Sequence, residues 1–102
     1  MSERDNGGLS MVSGMDDFQI KCKSLLIDWY KENKERVPAW DEVFVVWSCK
    51  ALQNYKCLVS TSLPDTIYAE FTYNGNKAEL YMDVYTKVTN KVIVLQRGVN
   101  ND

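Results

Sequence analysis

The sequence predicts an α+β domain in which two N-terminal helices cover one face of a four-stranded antiparallel meander. Three observations carry that expectation. A stripe of apolar residues at helical spacing follows Asp16, two alternating runs flank Asn74-Gly75, and a short β-branched run stands near the C-terminus. A chain of 102 residues, 45% of them hydrophobic and 25% charged, has the totals of one globular domain able to bury a modest core.

The first 14 residues, MSERDNGGLSMVSG, are polar, glycine-containing and without period. They bury too little to offset the entropy of ordering them, so a disordered extension is expected at 1–14, with Met15 an alternative start. One domain should occupy 15–97 and a frayed tail 98–102. Asp16 reads as an N-cap, with Gln19 three residues on in a capping-box pattern. Phe18, Cys22, Leu25, Leu26, Trp29 and Tyr30 then make one apolar stripe. Ile20 and Ile27 fall together on the opposite side, as scattered exposed aliphatics or as a small contact between subunits. Val37-Pro38 stops the helix.

Asp41 to Asn54 carries conflicting signals. Val43-Phe44-Val45-Val46 favours a strand by propensity. Against that stand the length of the run, the acidic first turn of Asp41-Glu42 and the poor hairpin chemistry of Gln53-Asn54. On length and end signals the segment is expected to form the second helix. Tyr55 to Thr61 alternates as a strand, and Ser62 to Asp65 is a connecting turn.

Ile67 to Lys87 is the most strongly patterned stretch. A two-residue Asn74-Gly75 loop would pair Tyr73 with Asn76, Phe71 with Ala78, Ala69 with Leu80 and Ile67 with Met82. Thr89-Asn90 would then turn the chain into a last strand, Val92 to Leu95, beside Val84 and Thr86. The inner face of this meander gathers Cys57, Val59, Ile67, Ala69, Phe71, Leu80, Met82, Val84, Ile93 and Leu95.

Little in the chain suggests catalysis. With no histidine and three cysteines lacking CxxC spacing, neither a zinc finger nor a His-based metal site can be assembled. GxSxG, P-loop and GxGxxG patterns are missing too, so the expectation is a non-enzyme with no cofactor and no metal. The cysteines read as small buried hydrophobes in a reducing, cytoplasmic setting. No signal peptide is visible, and the longest apolar run, Val43 to Trp47, is too short for a bilayer. A net charge of -2 argues against a generic nucleic-acid binder.

The outer face of the hairpin remains. Tyr68, Tyr81 and Tyr85 share it with Glu70, Glu79 and Asp83. Tyrosine gives a large contact area at low entropic cost, and interleaved carboxylates suit a basic partner. Tyrosine also favours strands for its own sake, and the three carboxylates could be a solvated polar face or an oxygen-rich cation site. Stacking of single-stranded nucleic acid would need surrounding lysine and arginine, where this face is mainly acidic.

From Asp41 onward, VVWSCKALQNYK, the TYNGNK turn and the Tyr81-to-Lys87 stretch carry a resemblance. They resemble a family of small proteins from phages and prophages of Gram-positive bacteria that has no established activity. By analogy with small acidic phage proteins, the resemblance implies an inhibitor of host machinery, such as a CRISPR-Cas nuclease or its RNA complex. The expected partner is thus a host protein with a basic nucleic-acid-binding surface, met in the host cytoplasm through the outer hairpin face. A homo-oligomeric protein that sequesters a ligand, with Ile20 and Ile27 at the subunit contact, is one alternative. A nucleic-acid-binding accessory factor of phage replication is another.

Overall fold

The computed structural model describes residues 12–98, so the disorder expected at 1–11 and the fraying at 99–102 lie outside the described residues. The chain forms one long helix, α1 (Met15–Asn33), and four strands: β1 (Val43–Ala51), β2 (Asn54–Thr61), β3 (Ile67–Asn74) and β4 (Glu79–Thr86). Every strand is antiparallel to its neighbour in the order β1-β2-β3-β4. The fold is α+β with a four-stranded meander, but it has one long helix instead of two.

α1 forms where the apolar stripe placed it. Phe18, Cys22, Leu26 and Tyr30 are fully buried, and Leu25 and Trp29 pack partly against the core. Its start differs from the expected box. Gly14 takes the N-cap position without a side-chain cap, and Asp17 accepts the Ser13 N–H at 2.9 Å and binds Lys21 at 2.6 Å. Gln19 is engaged elsewhere, donating to Ser48 Oγ on β1 at 2.8 Å. Val12, inside the expected extension, packs against the core.

The expected second helix is a strand. Residues 43–51 pair with β2 throughout, interrupted by an extra residue between Val45 and Trp47. This bulge at Val46 explains why the alternation was hidden. Val43 and Val45 point inward before it, and Ser48 and Lys50 lie on that side after it. The resulting spacing mixes steps of two and three, which imitates a helix. Ala51 pairs directly with Asn54, so the turn is Leu52-Gln53, with Leu52 at φ 58. A positive φ at the first central position alone is the pattern of a type II′ turn, normally given to glycine.

The β3–β4 hairpin is real, but its register is displaced by four residues. Asn74 pairs with Glu79, Tyr73 with Leu80, Phe71 with Met82, Ala69 with Val84 and Ile67 with Thr86. Asn74 does not sit in a two-residue turn. Its Oδ1 accepts the Asn76 and Lys77 N–H groups at 3.0 and 3.2 Å, which supports a four-residue loop. Because the displacement is even, every side chain keeps its face. Ala78 closes the loop at φ 54, a left-handed conformation that an alanine adopts at a cost of about 1–2 kcal/mol. Ala78→Gly should therefore stabilise the protein by about 0.5–1 kcal/mol in urea unfolding, the gain reduced by glycine's greater freedom when unfolded.

The last expected strand does not form. From Val88 onward the described chain has no regular structure, and Ile93 and Leu95, assigned to the inner face, are 70% and 83% exposed. β1 supplies the fourth strand at the opposite edge.

The core lies between α1 and the inner sheet face. Phe71, Val59, Cys57 and Ala69 are fully buried from the sheet side. Phe18 packs on Tyr55 and Tyr73, with ring centroids 5.4 and 6.3 Å away. Cys22 and Cys57 meet across the layers, and their mutual hydrogen bond together with burial pushes the Cys22 thiol up.

The other end of α1 is tied by Tyr30, whose hydroxyl donates to Asp65 Oδ1 at 3.0 Å. Burial, opposed by a hydrogen bond with Thr61 and seconded by Asp65, pushes this phenol from 10.0 up to about 12. The folded protein therefore holds this proton above pH 10, where the unfolded chain releases it. Its contribution is complete below pH 10 and is lost as pH rises towards about 12. Unfolding of wild type and Tyr30→Phe at pH 8 and pH 11 should show a steeper alkaline loss in the wild type.

Candidate functional site: the uncovered sheet face

Helix α1 covers one face of the sheet, and among the described residues nothing covers the other. Strand alternation and the paired registers set that outer face out as rows. Phe44, Ser60, Tyr68 and Tyr85 form one row across all four strands, and Trp47, Leu58, Glu70 and Asp83 form the next. A third row holds Cys49, Lys56, Thr72 and Tyr81, and Glu79 closes the β4 side opposite Asn74.

All six residues singled out on the hairpin, Tyr68, Glu70, Glu79, Tyr81, Asp83 and Tyr85, stand on this one face. Their pairing differs from expectation: Tyr68 faces Tyr85 instead of Tyr81, and Glu70 faces Asp83 instead of Glu79. Tyr81 and Tyr85 are half exposed, and Tyr68 is half-buried beneath the Lys87 ammonium, 5.5 Å above its ring. Glu70 meets Lys56 Nζ at 3.4 Å, which offsets the repulsion from Asp83. The Tyr81 hydroxyl donates to Glu79 Oε1 at 2.6 Å, and that bond to a carboxylate raises the phenol above its ordinary range. Tyr81 is thereby held as a hydrogen-bond donor to the Glu79 carboxylate.

β1 adds what sequence reasoning missed. Phe44, Val46 and Trp47 are 47%, 43% and 42% exposed on or beside this face, with Leu58 half-buried among them. The β-branched run at 43–46 was the signal that could have found them. The face is consequently polarised. Its β1 side is apolar and aromatic, and its β4 side carries Glu70, Glu79 and Asp83 between tyrosines. An apolar centre beside charged and phenolic groups is the arrangement of a protein-recognition surface.

Of the two isoleucines set opposite the apolar stripe, Ile20 is 53% exposed and Ile27 is half-buried against the core. Among the described residues, no group of three or more His, Cys, Asp or Glu side chains is placed to hold a metal ion, Glu70, Glu79 and Asp83 included. Of the cysteines, Cys22 and Cys57 are buried and Cys49 is exposed on the outer face. Among the described residues, no helix is long and apolar enough to cross a membrane.

Comparison with known proteins gives a family match. Residues 19–95 fit the model of a family of unknown function (DUF6275), a span that begins in α1 and runs past β4 through Leu95. No curated protein and no solved structure matches significantly.

Proposed function

The chain belongs to the family of unknown function DUF6275, and we propose that it is a non-enzymatic binding protein that docks a protein partner on its uncovered sheet face. The observation that carries this reading is the continuous outer face itself, where Phe44, Trp47, Tyr81 and Tyr85 are about half exposed on a four-stranded platform. Contiguous exposed apolar surface rimmed by polar residues marks interaction sites in proteins. The partner has an apolar groove flanked by basic groups, the apolar part meeting β1 and the basic part meeting Glu70, Asp83 and Glu79.

In the setting that the phage resemblance suggests, the partner is a host defence protein, such as a CRISPR-Cas nuclease, and binding occupies its nucleic-acid surface. Direct stacking of single-stranded nucleic acid fits less well. Lys56 is engaged with Glu70, and Lys87 lies over Tyr68, which leaves few cations on the face to hold phosphates.

Affinity capture from a Gram-positive host lysate, run at low and high salt, tests the reading. It expects a specific protein held at low salt and progressively released as salt screens the carboxylates. Retention of nucleic acid in place of protein, surviving nuclease-free washing and lost on nuclease treatment, would overturn it.

A further inference from the structure

Val88, Val92, Ile93, Val94 and Leu95 are 94%, 82%, 70%, 87% and 83% exposed. From Val88 to Leu95 the backbone makes no hydrogen bond to any described residue; the last is Lys87 N–H to Thr66 O at 2.9 Å. Such an apolar, β-branched segment has the composition to pair with an open strand edge. Val92–Leu95 is apolar at every position, so a strand formed there presents apolar side chains to the inner face whichever way it is set.

The receiving edge is β4. It is one of the sheet's two edge strands, so half of its backbone groups have no partner in the sheet. Its inward side chains, Leu80, Met82 and Val84, are only half-buried, because α1 packs chiefly over β1 and β2. The eight residues 88–95 equal the eight of β4, and either strand register sets two of the four side chains in Val92–Leu95 against that apolar strip.

The segment does not turn back onto its own β4. Lys87 prolongs the β3–β4 ladder by one rung, and from Val88 onward the described chain pairs with no strand. We propose that the 88–95 segment of one copy adds as a fifth strand to β4 of a second copy, and that the exchange is reciprocal. An exchange of this kind is self-complementary and closes as a two-fold dimer. The family match extends through Leu95, so the segment belongs to the family domain and is not an appendage to it. The dimer widens each sheet to five strands and leaves the outer face open.

Sedimentation equilibrium on the full chain, on a chain ending at Lys87, and on Ile93→Asp/Val94→Asp tests this, with circular dichroism confirming each fold. The full chain should show twice the monomer mass and both variants the monomer mass. Amide exchange at β4 should be slow in the full chain and fast in the variants. A full chain that is monomeric, including one with protected β4 amides from folding back on itself, overturns the proposal. So does a dimer that survives in the double variant, or one whose β4 edge amides exchange freely.

Discussion

Phe71→Ala should lower the free energy of unfolding by about 3–5 kcal/mol, measured by urea denaturation at neutral pH. Phe71 is fully buried and central in every direction. It lies on β3 between Cys57 of β2 and Met82 of β4, beneath the helix that contributes Cys22 and Leu26. A small domain has only about 5–15 kcal/mol of stability in total, so this loss leaves a marginal fold. A milder Phe71→Leu should cost much less, since most of the volume remains. A loss under about 1 kcal/mol for alanine would mean that the core is not organised around this strand.

The second large effect concerns binding. Phe44→Ser, Trp47→Ser and Tyr85→Ser made together should reduce partner capture at least a hundredfold, because aromatic anchors at the centre of an interface each contribute about 2 kcal/mol or more. Stability should fall little, since all three side chains are about half exposed. Parallel capture and thermal unfolding of wild type and triple variant separate the two effects. Ile20→Ser, on the solvent side of α1, is the matched control and should leave capture unchanged.

The inner half of this fold was readable because its pattern is redundant. Cys57, Val59, Ile67, Ala69 and Phe71 alternate strictly along β2 and β3, and each is buried where alternation put it. The hairpin register was off by four residues, since Asn74 prefers to bond Asn76 and Lys77 rather than enter a tight turn with Gly75. An even error preserves faces, so the six candidate residues still came out together. β1 was lost for two local reasons: the bulge at Val46 breaks the period of two, and its turn uses Leu52 where glycine would announce it. With β1 went Phe44 and Trp47, the apolar half of the candidate surface. The tail at 92–95 is strand-like in composition, yet the expected strand does not form, and among the described residues no strand of its own chain receives it. Composition gives a segment's preference but not the edge that satisfies it.

Site-specific photo-crosslinking tests the central claim most directly. A photoreactive phenylalanine analogue placed at Trp47, and separately at Lys31 on the exposed side of α1, would be irradiated in host lysate and the adducts resolved by mass. The account predicts one discrete protein adduct from position 47 that disappears at high salt, and none from position 31. An adduct from position 31 with none from 47 would contradict it.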